Sequence, residues 1–262
     1  MKKTISTIFL SLILSSQHLK SEAVSAIFFD IQTIFQIDSM RASNYIGKFD
    51  SLRYLAEVGN IPRQEDLFRQ LKPVKALSTQ ITYNQNLEMP LIFSDWLSAK
   101  QAPSKVADSI QKYFKHKNIS DIEKKVFLAI VNMMVTSTSL ADIQYSSSKI
   151  ETLIEKLKRN GYKIYLVGNS ANISSLRSKF KNIFKLFTNV YVSGELHLLK
   201  PYKEFYQAVL ERSEIKPQQA LWIETEQKFS SKVQQFGYNA ILYSHSYHED
   251  IIRNLQKFGV RA

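Results

Sequence analysis

The spacing of hydrophobic positions changes twice along the chain and divides it into three parts. Residues 24–35 form a nearly continuous apolar run, which predicts a buried strand. Residues 40–150 have mostly helical spacing, with four prolines that mark breaks between helices. From about residue 150 onward, helical and strand-like segments alternate, starting with a helix over 150–159 and a strand over 163–167.

This order of elements predicts an α/β fold: a parallel sheet with helices on both faces and a helical cap inserted after the first strand. We assign residues 24–38 and 148–262 to the core domain and residues 39–147 to the cap. Because the insertion follows the first strand directly, we expect the cap to lie over the carboxyl ends of the strands. A lid at that edge would exclude water from a site below it.

Residues 1–23 are predicted to be a signal peptide rather than part of the fold. Lys2 and Lys3 precede an apolar stretch over residues 4–15, and Ser21 and Ala23 are small residues at positions that a signal peptidase reads. The stretch is too short to span a bilayer comfortably, so we expect no stable membrane span, with an uncleaved anchor as the alternative. Export predicts a periplasmic or secreted protein. The chain has no Cys, so its core must stabilise it without disulfides.

The charge of the chain narrows the class of partner. The formal net charge is +12, which favours anionic partners. The charges are scattered, and no basic stripe with interleaved aromatic residues is visible, so we expect no nucleic-acid binding. We expect a small phosphorylated or anionic ligand, and the sequence leaves a protein partner open as well.

Polar residues stand at the ends of four predicted strands. Asp30 ends the first strand, and the others are followed by Gly168-Asn169-Ser170, Lys200-Pro201 and Glu224-Thr225. Because the carboxyl ends of parallel strands meet at one edge of a sheet, we expect these residues to converge there. Asp30 would then be placed as a nucleophile. The simpler alternatives are that Asp30 caps the turn after its strand and that Asn169 caps a helix.

The order and spacing of these segments resemble the haloacid dehalogenase (HAD) superfamily, capped α/β hydrolases whose best-known members are phosphatases. The resemblance covers nearly all of the chain after residue 23 and is strongest over residues 150–243. It implies a Rossmann-like core in which Asp30 is the nucleophile and Lys200 neutralises charge between the nucleophile and a phosphate. It further implies substrate binding by Gln32, Gly168, Asn169 and Ser170, and a Mg²⁺ site formed by Asp30, Gln32 and Glu224.

Several of these positions depart from the family pattern. Gln32 stands where the family has an acid/base aspartate, and an amide in that role would slow the reaction by roughly 10²–10⁴-fold. Gly168 replaces a hydroxyl residue, although its backbone N–H can still bind an anion. Glu224 and Thr225 replace a pair of metal-binding aspartates, so the Mg²⁺ site is expected to be degenerate.

The resemblance therefore leads to two functional hypotheses. The first is a HAD-like hydrolase of the phosphatase lineage that acts on phosphorylated small molecules with impaired activity. The alternative is a catalytically inactive exported relative that binds an anionic ligand or a protein partner. Metal-free dehalogenases of the superfamily are also compatible with Asp30, Asn169 and Lys200, but no halide-pocket signature is visible in the sequence.

Overall fold

The computed structural model of the chain describes residues 23–59, 64–71, 82–84, 87–245 and 248–262. The predicted signal peptide, apart from its last residue, lies outside these residues. The strands in chain order are β1 (Ala26–Asp30), β2 (Phe35–Ile37), β3 (Thr82–Asn84), β4 (Leu87–Glu88), β5 (Gln144–Ser146), β6 (Lys163–Gly168), β7 (Asn189–Val192), β8 (Ala220–Glu224) and β9 (Asn239–Leu242).

Helices and strands alternate in the core, whereas the cap is mostly helical, with β3 and β4 between α4 and α5. In chain order they are α1 (Ile31–Ile34), α2 (Ser39–Ile46), α3 (Lys48–Val58), α4 (Gln64–Leu71), α5 (Leu91–Leu97), α6 (Pro103–Lys115), α7 (Asp121–Val135), α8 (Ser137–Ile143), α9 (Ser148–Arg159), α10 (Ser174–Lys179), α11 (Lys181–Phe184), α12 (Ser193–Leu196), α13 (Lys203–Ser213), α14 (Gln227–Gln235) and α15 (His248–Lys257).

Five parallel strands form the central sheet in the order β7-β6-β1-β8-β9. The first strand lies in the middle, where Asp30 pairs with Val167 and Phe29 with Ile223. Since all five strands point the same way, the carboxyl ends of β1, β6 and β8 meet at one edge. The predicted α/β fold with a parallel sheet is thus confirmed.

The first strand is shorter than the apolar run predicts. It ends at Asp30, and the prediction of a single strand over residues 24–35 is wrong. The carboxylate of Asp30 accepts a hydrogen bond from the Gln32 N–H at 2.7 Å and starts the short helix α1. A side chain that caps a helix in this way offers the backbone an alternative to the strand ladder. The chain then resumes as β2.

Both faces of β1 are buried, as expected for a central parallel strand. On one face the ring of Phe28 stacks between Tyr165 at 4.7 Å and Trp222 at 4.4 Å, measured between ring centroids. Ile27 and Phe29 belong to the core cluster of the opposite face. This packing on both sides fixes the register of β1 and, with it, the position of the carboxylate at its end.

The cap joins the core through a short antiparallel ribbon. Strand β2 leaves the core and pairs with β5 on the way back, with Phe35 opposite Ser146. The predicted domain boundaries fall next to this ribbon. The cap has its own apolar core, to which α6 contributes Val106, Ile110 and Phe114.

Three contacts hold the cap against the carboxyl edge of the sheet. Leu199, which belongs to the core domain, packs into the apolar cluster of the cap. The Ser193 hydroxyl donates a hydrogen bond to the Leu97 carbonyl at 2.7 Å, and His197 Nδ1 lies 2.9 Å from the Ser98 carbonyl oxygen. The cap therefore covers the edge at which the polar residues meet.

In the part of the chain that the structure describes, no single helix is long and apolar enough to cross a bilayer. Helices α7 and α8 together reach the required length and composition, but they meet at an angle of 97°.

Candidate active site

Three buried charged residues meet at the carboxyl edge of the sheet. Asp30 ends β1, Glu224 ends β8, and Lys200 lies in the loop between α12 and α13. The Lys200 ammonium contacts Asp30 Oδ2 and lies 2.5 Å from Glu224 Oε2. The structure thus brings together the predicted nucleophile and the predicted ammonium, and it adds the second carboxylate to the same cluster.

The backbone of Lys200 is held in place by Asn169. The Asn169 side-chain N–H donates to the Lys200 carbonyl at 3.0 Å, and its amide oxygen accepts the Lys200 N–H at 2.9 Å. The sequence predicts Asn169 as a substrate-binding residue or a helix cap. In the structure its amide group joins the end of β6 to the loop that carries Lys200, and it positions the lysine.

Asp30, Lys200 and Glu224 form a buried charged triad, and their charges influence one another strongly. Burial alone would lower the pKa of Lys200, but the carboxylates of Asp30 and Glu224 outweigh it and raise that pKa above its usual range. The ammonium therefore stays charged at neutral pH. Burial raises the pKa of Glu224 to about 7, with Lys200 opposing the rise and Asp30 adding to it. Glu224 Oε1 is buried and accepts no hydrogen bond from the residues that the structure describes, so no donor at this atom favours the charged form.

Gln32 is engaged on three sides. Its N–H donates a hydrogen bond to the Asp30 carboxylate, and its side-chain oxygen accepts one from the Thr225 hydroxyl at 3.2 Å. Its backbone carbonyl accepts a third from His245 Nε2 at 3.0 Å. The Gln32–Thr225 contact joins two positions that both depart from the family pattern. From the sequence, His245 could be considered only as part of a metal cluster with His248, Glu249 and Asp250; its position just after β9 was the signal that could have placed it at this edge.

The end of β6 has no room for a side chain at Gly168. A Cβ atom there would lie 2.6 Å from the Ile31 Cγ2 atom. The volume that a hydroxyl residue would need is therefore filled by Ile31. Two residues further on, the Ser170 N–H donates a hydrogen bond to the Ser193 hydroxyl at 2.9 Å. The Ser170 hydroxyl donates one to the Asn172 carbonyl at 3.3 Å. Ser193 thus supports this loop and was also not identified from the sequence.

The three predicted Mg²⁺ ligands do not form an oxygen-lined position. Mg²⁺ needs near-octahedral oxygen ligands at about 2.0–2.1 Å. Here the Lys200 ammonium lies between the carboxylates of Asp30 and Glu224, and Glu224 is not among the residues that line the adjoining cavity. Within the described ranges, no cluster of three or more His, Asp or Glu side chains could hold a metal ion. As placed, these three residues therefore do not form an octahedral oxygen site for Mg²⁺.

A cavity of about 1260 Å³ lies between the site and the cap. Asp30, Gln32, Asn169, Ser170 and Lys200 all line it. The aromatic ring of Phe229 lines it too, with the Lys200 ammonium 4.8 Å from the ring centroid. A ligand in the cavity would therefore meet the Asp30 carboxylate, which is held by hydrogen bonds from the Gln32 N–H and from the buried Lys200 ammonium.

The fold and this edge are those of a capped α/β hydrolase with an aspartate at the end of its first strand. The family model of the haloacid dehalogenase-like hydrolases matches residues 94–242, which is more than half of the chain. The chain belongs to this family. No curated protein matches its sequence.

Solved structures of similar fold include enzymes described as members of the HAD family. A HAD family enzyme of Bacteroides thetaiotaomicron superposes with a TM-score of 0.55 at 18% identity, covering 87% of this chain and 99% of that one. The same enzyme has been crystallised with magnesium and inorganic phosphate. A HAD-like family hydrolase of Porphyromonas gingivalis gives 0.52 at 15% identity, covering 89% and 98%. A dehalogenase crystallised as an intermediate complex gives 0.52 at 16% identity and covers 85% of each chain.

Proposed function

We propose that this protein is a HAD-like hydrolase that uses Asp30 as its nucleophile on phosphorylated small molecules, with a much reduced rate. One observation carries the proposal: Asp30 is held by the Gln32 N–H and the Lys200 ammonium at the floor of a cavity covered by the cap. A carboxylate oriented in this way can attack a ligand in the cavity without first being ordered.

The proposed first step is in-line displacement at phosphorus. An Asp30 oxygen forms a bond to phosphorus, the bond to the leaving oxygen breaks, and the products are an aspartyl phosphate and an alkoxide. Lys200 stabilises the negative charge that the phosphoryl oxygens carry. Water then attacks the aspartyl phosphate, which releases phosphate and restores the Asp30 carboxylate.

The reduced rate follows from the residues around this nucleophile. The alkoxide needs a proton, and the Gln32 amide cannot supply one, so it has to come from water. Loss of a general acid/base of this kind costs roughly 10²–10⁴-fold in rate. The Lys200 ammonium supplies a single positive charge where a divalent ion would supply two, which further weakens stabilisation of the transition state.

The alternative is binding without turnover, as an inactive member of the family. The contact of Gly168 with Ile31 favours it, because the space for a phosphoryl-binding hydroxyl is closed. In this alternative the protein keeps the cavity for an anionic ligand or presents the cap to a protein partner. For both functions we propose that the protein is exported to the periplasm or secreted, on the basis of the predicted signal peptide. Fractionation of cells that express the full chain tests this location.

A phosphatase assay of the wild type and two variants separates the two functions. The wild type, Asp30→Asn and Gln32→Asp are assayed with p-nitrophenyl phosphate and a panel of phosphomonoesters, with Mg²⁺ and with EDTA. We expect slow hydrolysis by the wild type that Asp30→Asn abolishes and that EDTA leaves unchanged. Gln32→Asp should raise the rate, because it places an acid beside the leaving oxygen.

Two outcomes would contradict the proposal. Wild type and Asp30→Asn with equal rates on every phosphomonoester would exclude Asp30 as a nucleophile for this class and would favour the binding function. Release of halide from a 2-haloacid by the wild type but not by Asp30→Asn would keep the nucleophile and replace the phosphorylated substrate.

A further inference from the structure

The cavity is larger than a small phosphorylated metabolite would fill. At about 1260 Å³ it exceeds the range of roughly 300–1,000 Å³ that holds most drug-sized ligands. A phosphate group bound beside Asp30 and Lys200 would fill only its floor. The rest of the cavity therefore needs an explanation other than recognition of the reacting group.

The charged groups at the floor of the cavity come from the core domain, and most of the apolar lining comes from the cap. The core contributes Asp30, Asn169, Ser170 and Lys200 at the edge of the sheet. The cap contributes mainly apolar side chains from α2, α3, α5 and α7: Met40, Ile46, Leu52, Leu55, Phe93, Trp96, Ile130, Met133 and Met134. A ligand that fills the cavity must be charged or polar at one end and apolar at the other.

The apolar lining continues to the protein surface along α2 and α3. Met40, Leu52 and Leu55 line the cavity, yet Met40 is 74% exposed and Leu52 is 65% exposed. Contiguous exposed apolar surface beside a cavity marks a binding site rather than ordinary surface variation. Because these side chains border the opening, an apolar group could leave the cavity between them and remain partly covered.

We propose that the protein binds an amphiphile with a phosphate head group and a single apolar chain. The phosphate head group lies against Asp30, Lys200 and the loop of Asn169. The apolar chain of the ligand runs along the cap past Trp96 and Leu52. The choice of head group rests on the proposed function, whereas the apolar chain rests on the cavity lining alone. The exposed Lys48, which also lines the cavity, adds a positive charge near the opening.

The test measures binding of n-alkyl phosphates of two, four and eight carbons to the full chain by calorimetry, below their micellar concentrations. Each buried methylene contributes up to about fourfold in affinity. We expect octyl phosphate to bind at least tenfold more tightly than butyl phosphate, and at least tenfold more tightly than octanol. Equal affinities across the series, or equal binding of octyl phosphate and octanol, would overturn the inference.

Two matched variants show whether the alkyl chain of the ligand binds in the cavity. Leu52→Asp places a charge on an exposed cavity-lining residue of α3, so folding should be little affected. Leu91→Asp makes the same change at an exposed position that does not line the cavity, the first residue of α5, where an acid is tolerated. We expect Leu52→Asp to remove the preference for octyl over butyl phosphate and Leu91→Asp to retain it. Loss or retention in both variants would overturn the inference.

The outcome of the binding test does not depend on whether the protein hydrolyses phosphomonoesters. Hydrolysis of p-nitrophenyl phosphate with no dependence of affinity on chain length would keep the proposed function and reject the amphiphile. A strong dependence of affinity on alkyl chain length without any hydrolysis would support the amphiphile and reject the proposed hydrolase activity. Sedimentation of the unliganded chain completes the test: a dimer that Leu52→Asp dissociates would identify a second copy as the occupant of this surface and would overturn the inference.

Discussion

Replacing Lys200 by methionine tests the electrostatic account of the site most directly. Methionine keeps an unbranched side chain of similar length but removes the charge that lies between Asp30 and Glu224. All three side chains of the triad are almost fully buried, so water cannot replace the ammonium. Removing one partner of a buried ion pair costs about 3–5 kcal/mol, because the remaining charges are left without compensation.

Urea unfolding of the wild type and of Lys200→Met at pH 8 measures this loss. The control is Lys125→Met, which breaks the ion pair of Lys125 Nζ with Asp50 Oδ2 at 2.8 Å, where the lysine side chain is 66% exposed. A surface pair of this kind contributes about 0–1 kcal/mol. The double variant Lys200→Met/Glu224→Gln should recover part of the loss, since it removes one of the two uncompensated charges.

The pH dependence of the same loss gives an independent check. The pKa of Glu224 is about 7 in the wild type, and it should rise further once the ammonium is gone. At pH 5.5 the Glu224 carboxyl is therefore protonated in Lys200→Met, and the cost of the substitution should be smaller than at pH 8. A loss at pH 8 that stays within about 1 kcal/mol of the Lys125→Met control would refute the reasoning.

Three further predictions concern the same edge of the sheet. Gly168→Ser should destabilise the protein by about 1–3 kcal/mol in urea unfolding because the serine Cβ meets Ile31, and the same change should cost much less in an Ile31→Ala background, measured against Ile31→Ala alone; an equal cost in both backgrounds would contradict the contact. The free energy of unfolding of the wild type should fall by up to roughly 3 kcal/mol as pH rises from about 4.5 to 7, and that of Glu224→Gln should not show this fall. The reason is that the folded state binds the Glu224 proton more tightly than the unfolded state does. Parallel curves of stability against pH for the two proteins would refute this. Asn169→Ala should cost about 1–3 kcal/mol by leaving the Lys200 backbone without its two partners, and an unchanged urea midpoint would contradict the positioning role.

The central sheet could be predicted because its signals are local. Each core strand is a short apolar run followed by a polar residue, and each is separated from the next by a segment with helical spacing. The order of β1, the insertion and the later β-α units then leaves few topologies open. For the same reason the meeting of Asp30 and Lys200 could be expected, although they are 170 residues apart.

The end of β1 could not be predicted from the apolar pattern. Ile31, Ile34 and Phe35 follow Asp30, so the apolar pattern alone extends the strand past it. A single hydrogen bond from the Gln32 N–H to the Asp30 carboxylate ends it and starts a helix. One of the alternatives considered for Asp30, a cap of the turn after its strand, is therefore confirmed together with its place in the triad.

The sequence by itself determined the fold class, the insertion of the cap and the residue types at the strand ends, because apolar periodicity and chain order depend only on near neighbours. The tertiary structure alone decided how those residues are used. It placed an ammonium between two carboxylates, filled the space beside Gly168 with Ile31, and opened an apolar cavity from the site to the cap surface. These features depend on distances between side chains that are far apart in the chain, and no local pattern records such distances.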